Sequence, residues 1–343
     1  MVYAYASGAY GAILGGSNPL APTMKNTPPL EEIIVWLKKE NPFGLFSGDF
    51  SIDDIDPKPW SGHFNYLVET PEKKFVLRFK GPEWGETGGI NDEYKTLSGV
   101  SQYGVGPKAF YFSENFFGES VMFEEHLDGQ PLSEFTIEAQ KLYFPEVVKT
   151  VKKINSIPAD KSIFPFRRSL TSYERSKDSW RERINYLRKK AETKEIGEKL
   201  AELLPSMEKI VDGFEPLLRD VLGRTGPVFA FESSHIGHCF VSSEWVRFIN
   251  WEQVSYGDPC YTLAVFLVSI SGYPDFEETK KGMISLYLEN NSIPEFPELM
   301  EQRIKERHMS NIIWLLWRNA KLGAPVVEWE ERITKLEKLT NPR

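Results

Sequence analysis

The sequence predicts an α+β chain, a small antiparallel sheet with one inserted helix followed by a mainly helical region. Three observations carry this. Between His63 and Glu125, β-rich runs with alternating polarity are separated by turn signals. From Ser133 onward, long segments show apolar residues at helical spacing. Only short strand-like runs interrupt those helices.

In order, Pro29 to Asn41 places Leu30, Ile33, Ile34 and Leu37 on one helical stripe, with acids early and lysines late. His63 to Glu69, Lys74 to Lys80, Lys108 to Phe112 and Ser120 to Glu125 read as strands, divided by turns such as ETPEK and SENFFGE. A helix around Asn91 to Tyr103 falls between the second and third. Helices are then expected at Ile137 to Ile154, Leu170 to Ala191, Lys194 to Leu222, Asp275 to Asn290 and Pro297 to Leu322. Short strands at Val228 to Phe231, Cys239 to Ser242 and Trp245 to Ile249 break the series. The expected organisation is an irregular arm over 1–29, a first lobe over 30–127 and a helical lobe over 128–343.

At 343 residues, with 41% hydrophobic and 26% charged residues, the chain has the composition of a globular protein with a substantial core. Its formal net charge of -8 argues against a sequence-independent nucleic-acid binder. The locally basic run Arg167 to Lys190 reads as a solvated helical face. Two cysteines, Cys239 and Cys260, form no disulfide framework and fit a reducing compartment. Met1 to Met24 carries no charge, yet it lacks a basic leader and is broken by Gly and Pro, so an irregular arm is expected rather than a secretion signal. No stretch approaches the roughly 20 apolar residues that span a bilayer. A cytoplasmic protein with neither nucleic-acid nor membrane partners is expected.

The most informative stretch is Phe229 to Ala264, FAFESSHIGHCFVSSEWVRFINWEQVSYGDPCYTLA. It resembles the catalytic segment of the aminoglycoside phosphotransferase and choline kinase family, which has a protein kinase-like fold. That family writes H-x-D, four residues, N, twelve residues on to the Asp of I-D-W-E, then Y-x-G-D-P-x-Y-D-L-A. The twelve-residue step from His238 to Asn250 is kept, and INWE and YGDPCYTLA follow in register. The chemical residues are changed. Phe231 stands for the His, Ser233 for the catalytic Asp, His238 for the Asn, Asn250 for the metal Asp, and Thr262 for the Asp of Y-D-L-A. The resemblance covers roughly residues 40–325. KKFVLRFKG resembles the lysine strand, with Arg78 at the lysine position, and INDEYKTLSGV resembles the helix of the partnering glutamate, Glu93. VMFEEHLDGQPL resembles the hinge, VVKTVKKINSIP the helix ending L-H-x-i-P, and IIWLLWRNAK the tryptophan-bearing late helix. The resemblance implies a bilobal kinase-like fold.

Phosphoryl transfer of this kind is positioning plus charge stabilisation, with one Asp orienting the acceptor and an Asp and an Asn holding Mg²⁺. Ser233 carries no charge, Asn250 offers one neutral oxygen, and His238 is a nitrogen ligand poorly matched to Mg²⁺. Loss of a general base alone costs roughly 10²–10⁴ in rate. The expectation is therefore a degenerate, pseudokinase-like protein that binds a small molecule, nucleotide or partner in the inter-lobe cleft. The alternatives are an active ATP- and Mg²⁺-dependent small-molecule kinase with replacement groups, and a purely structural subunit.

Other candidates were weighed by chemistry. Gly62 and Asn65, in SGHFN, fall where the resemblance places a phosphate loop, the plain alternative being a turn before a strand. Arg78 and Glu93 could hold phosphates or form a structural ion pair. Glu232, His235, His238 and Glu252 are weak metal candidates by residue type, and ATP and Mg²⁺ are the cofactors only of the active-kinase alternative. His126-Leu127-Asp128 is a literal H-x-D in hinge context and is not read as catalytic. Asp258 reads as a helix cap. Trp314 and Trp317, three apart on a helix, with Tyr256 and Glu252, are candidates for a substrate pocket through cation–π attraction, the alternative for the tryptophans being a core stripe.

Overall fold

The computed structural model describes residues 28–55, 63–80, 89–158, 168–170, 172–290, 293–321, 323, 326 and 328–340. Most of the expected arm, and Gly62, lie outside them. The chain divides into two compact units, one of the described residues of Thr23–Arg167 with Phe231–Val254, the other of Arg168–Ala230 with those of Ser255–Arg343. This division follows internal packing and differs from the motif-based bounds at 127/128.

In the first unit, α1 (Leu30–Glu40) precedes β1 (Ser51–Asp54), β2 (His63–Glu69) and β3 (Lys74–Lys80). Next come α2 (Ile90–Val100), β4 (Ala109–Phe116) and β5 (Glu119–Glu125). The five strands form one antiparallel sheet in the order β1-β2-β3-β5-β4. β2 and β3 occupy the residues expected, because Thr70 closes the intervening turn by bonding the carbonyl and amide of Lys73. β1 was not expected. Its SIDD sequence buries only Ile52, so it carries almost no alternation. One face of the sheet packs an aromatic core in which Phe43 stacks on Phe75 and Phe46, Phe116 and Phe123 crowd beside them. Trp36 of α1 closes this core edge-on to Phe116, with its indole N–H donated to the Asn115 carbonyl.

β6 (Gln130–Pro131), α3 (Ile137–Leu142) and α4 (Phe144–Asn155) follow. The single helix expected over 137–154 is broken at Tyr143, just before Pro145, whose missing N–H suits the first turn of a new helix. The second unit opens with β7 (Arg168–Leu170), α5 (Glu174–Lys189) and α6 (Lys194–Thr225), a 32-residue helix with Pro205 and Pro216 inside it. β8 (Val228–Phe231) leads back to the first unit, where β9 (Cys239–Val241) and β10 (Val246–Phe248) pair with β6 in the order β10-β9-β6. β11 (Val254–Gly257) lies between β7 and β8. α7 (Tyr261–Ser269), α8 (Phe276–Leu288), α9 (Phe296–Lys321) and α10 (Trp329–Thr340) complete the second unit.

A buried ion network centres that second unit. Arg303 donates through Nε to Asp258 at 2.6 Å and through one terminal nitrogen to Glu306 at 3.3 Å. Its guanidinium lies 4.1 Å from the Tyr173 ring centroid. Glu306 also accepts from Ser176 and Ser310, each at 2.7 Å. Asp258 accepts from the Cys260 amide at 2.7 Å, a turn just ahead of α7; the cap position itself is Cys260, which makes no side-chain cap bond, so Asp258 is not the cap expected from the sequence. The basic run on α5 is laced with carboxylates: Arg181 meets Glu174, Asp178 and Glu208, and Lys177 meets Glu174 and Asp212. No helix among the described residues is long and apolar enough to cross a membrane.

Candidate active site

The first unit brings β2, β3, α2 and the segment Phe231–Val254 into one body, and four of the predicted residues meet there. Alternation along a strand alone would not have found them, since β3 is buried on both faces from Phe75 to Phe79. Arg78 is 3% exposed and Glu93 fully buried. The Arg78 Nε lies 2.7 Å from a Glu93 oxygen, in ion-pair contact rather than hydrogen-bond alignment. One Arg78 terminal nitrogen donates to Asn65 Oδ1 at 3.1 Å. The other donates to Asn250 Oδ1 and meets His63 Nδ1 at 3.0 Å. Glu93 accepts with its second oxygen from the Trp251 amide at 2.9 Å, which ties α2 to the segment after Asn250.

The segment itself is braced from below. The Trp251 ring stacks on Phe231 with centroids 4.3 Å apart, and its Nε1–H is donated to the Phe248 carbonyl at 2.6 Å. A side-chain carbon added at Gly106 would lie 2.4 Å from Trp251 Nε1, so this approach requires glycine. Asn250 adopts φ 68°, a left-handed conformation that Asn and Asp tolerate better than most residues.

Ser233 and His238 are joined to each other. His238 Nδ1 lies 3.0 Å from the Ser233 carbonyl, so that nitrogen carries the proton and Nε2 is the acceptor. The Ile249 amide donates to the His238 carbonyl at 3.0 Å, which sets this loop beside Asn250. His235 Nδ1 accepts from the Gly237 amide, and its ring lies 3.7 Å from that of His238, centroid to centroid. Burial lowers both imidazoles, His235 to about 4, with the charge of Arg78 adding a smaller push on His238. His63 is lowered by burial and then by Arg78.

Two further carboxyls border this network. Burial, with Glu93 next, pushes Glu124 up to about 8, and Glu252 likewise to about 8. Glu252 lies 3.5 Å from His63 Nε2, and Glu124 Oε2 is buried without a hydrogen-bond partner among the described residues. The sequence reading missed Glu124. It follows three buried apolar residues on β5, so no change of polarity marks it as inward-facing.

Among the described residues no group of three or more His, Cys, Asp or Glu side chains is placed to hold a metal. The candidate set Glu232, His235, His238 and Glu252 is therefore not assembled as one. The Glu232 amide is used by the Gln253 carbonyl, His235 and His238 face each other, and Glu252 turns to His63. His126 and Asp128 pair with each other at 3.2 Å. In the second unit, Tyr256 packs edge-on to Phe229 at 5.8 Å. Trp317 is buried with Lys321 over its ring at 4.8 Å, whereas Trp314 is 37% exposed with Arg318 over it at 5.0 Å.

With the site laid out, the comparisons with known proteins decide the fold. A choline kinase from Cryptosporidium parvum Iowa II superposes with a TM-score of 0.66 at 17% identity, over 90% of this chain and 94% of that one. A Plasmodium vivax ethanolamine kinase gives 0.64 at 15%, over 96% and 95%. The fold is that of the choline kinases and aminoglycoside phosphotransferases. A spectinomycin phosphotransferase solved with ADP and spectinomycin gives 0.56 at 13%, over 91% and 94%. No protein-family model and no curated protein matches this chain. The small antiparallel sheet and the helical C-terminal region are thus the two parts expected of a kinase-like fold.

Proposed function

We propose that this phosphotransferase-fold protein has lost ordinary Mg²⁺–ATP transfer and works by binding a ligand or partner through the retained fold. The observation that carries the reading is Arg78. Its guanidinium bonds Asn250 directly and is held by Glu93, Asn65 and His63, so an internal cation takes the oxygen that would otherwise face a metal. The donor set does not fit Mg²⁺. Asn250 is neutral and engaged, His238 offers nitrogen, and burial pushes Glu252 towards its protonated form.

One observation favours a second reading, an active small-molecule kinase. The backbone carbonyl of Ser233 fixes the His238 tautomer and leaves Nε2 as an acceptor, the arrangement a general base requires. The superposed proteins are also named as kinases and phosphotransferases. The test is ATP consumption by the unmodified protein with amino-alcohols, sugars and aminoglycosides. The proposal expects no Mg²⁺-dependent turnover, and expects Asn250→Asp to strengthen Mg²⁺-nucleotide binding without turnover unless Ser233→Asp is added. Robust turnover abolished by Asn250→Ala would establish the second reading instead.

A further inference from the structure

The two histidines of the loop between Ser233 and Asn250 are held in opposite tautomers by the backbone beside them. His235 Nδ1 accepts from the Gly237 amide at 3.1 Å, so the proton of the neutral ring sits on Nε2. His238 Nδ1 donates to the Ser233 carbonyl at 3.0 Å, so its Nε2 keeps a lone pair. Desolvation lowers both imidazoles from their ordinary value, which keeps the two rings neutral. The rings stack with centroids 3.7 Å apart and planes tilted by 38°. That closeness brings the N–H of one and the lone pair of the other within reach of a single small group. Neither Nε2 has a hydrogen-bond partner among the described residues, and both side chains are partly exposed.

The tautomers decide what the pair can hold. A metal would need a lone pair from each ring, and His235 has none to give, since one nitrogen accepts and the other is protonated. The adjacent Cys239 adds no ligand, because its thiol is fully buried and burial pushes it up. A carboxylate would satisfy the His235 N–H but set an oxygen against the His238 lone pair. An amidinium would satisfy His238 and set an N–H against that of His235. A neutral group with an acceptor atom beside a donor atom suits both. The two nitrogens stand on separate stacked rings, so they meet two ligand atoms rather than one hydroxyl oxygen. A primary carboxamide has that pattern.

We propose that His235 and His238 together bind a neutral primary carboxamide, whose oxygen accepts from His235 Nε2 and whose N–H donates to His238 Nε2. This deepens the ligand-binding reading given above and rests on it, by naming the polar group that the ligand carries. Neither metal nor nucleotide takes part in the contact.

Benzamide, benzoate and benzamidinium test this, because they share one shape and offer one acceptor with one donor, two acceptors, or two donors. Ligand-observed NMR titrations with the full chain, without metal or ATP, give the three affinities. Benzamide is expected to bind about tenfold more tightly than either ion. His235→Phe keeps a flat ring but removes the N–H. It should cost benzamide about tenfold and raise benzamidinium relative to it. His238→Phe should cost a similar factor and raise benzoate instead. A merely structural role for the two rings would not shift the preference in opposite directions. Equal affinities for the three probes, no binding of benzamide by the folded wild-type chain, or an unchanged ranking in both variants would each overturn the proposal. Should the variants fail to fold, the ranking on the wild-type chain decides it. Mg²⁺-dependent ATP turnover by a chain that shows the ranking would overturn the loss of transfer and leave the amide site standing. A chain with neither turnover nor ranking overturns the amide site alone.

Discussion

Arg78 in the first unit and Arg303 in the second are both almost wholly buried, yet their surroundings differ in kind. Arg303 has two carboxylates in contact, Asp258 and Glu306. Burial would raise Glu306, but Arg307, Arg303 and the hydroxyls of Ser310 and Ser176 outweigh it, so Glu306 stays low and charged. Arg78 meets the carboxylate of Glu93 and the neutral Asn65, His63 and Asn250, and two bordering carboxyls, Glu124 and Glu252, are pushed towards protonation by burial. A network of close ion pairs serves to hold elements together. The mixed surroundings of Arg78 are what the proposed loss of ordinary Mg²⁺–ATP transfer would leave.

The largest expected effect tests this contrast directly. Replacing Arg303 by Met strands two buried carboxylates and should cost about 3–5 kcal/mol in urea unfolding. Arg78→Met takes the cation from Glu93, which keeps the Trp251 amide, and should cost less, about 2–3 kcal/mol. Equal losses would erase the distinction.

The pH dependence comes next. Glu124 and Glu252 have native values near 8, above the unfolded 4.5, so the native state binds more protons and stability falls as pH rises towards about 8. His63, His235 and His238 are lowered, so their contribution is present above 6.5 and lost on acidification. The two trends oppose each other below 6.5, and only the glutamates act above it. The melting temperature should drop between pH 6.5 and 8.5, and Glu124→Gln should flatten that drop. An unchanged slope in the variant would remove Glu124 from the account.

The smallest expected effect is steric. Gly106→Ala forces a carbon into Trp251 and should cost about 1–3 kcal/mol, with Trp251 fluorescence shifted. A neutral result would show that the segment after Asn250 yields more readily than its stacking on Phe231 implies.

Much of the fold was legible because its signals were local. The turn at Thr70 and the alternation beside it located β2 and β3, and the spacing from His238 to Asn250 located the loop now tied by Ile249 to His238. α7 was expected only as a helix following Asp258 and without bounds, because Tyr261 to Val268 is buried all round, which leaves no polar stripe to give a helical period. α10 was missed, although it buries only Ile333, Leu336 and Thr340. The Arg78–Glu93 pairing was readable as a possibility. The grip of Arg78 on Asn250 was not, since it joins residues far apart in sequence through a side chain whose direction no local pattern sets.

The two prolines of α6 have a mechanical consequence. Pro205 and Pro216 are eleven residues apart, about three helical turns, so they lie on nearly the same side of the axis. Each lacks the amide that would reach back four residues, leaving the carbonyls of Ala201 and Asp212 without their usual helical donors. Two such weak points on one side favour bending in the same direction, and an amide-exchange profile of the continuous α6 should show two soft joints at those positions.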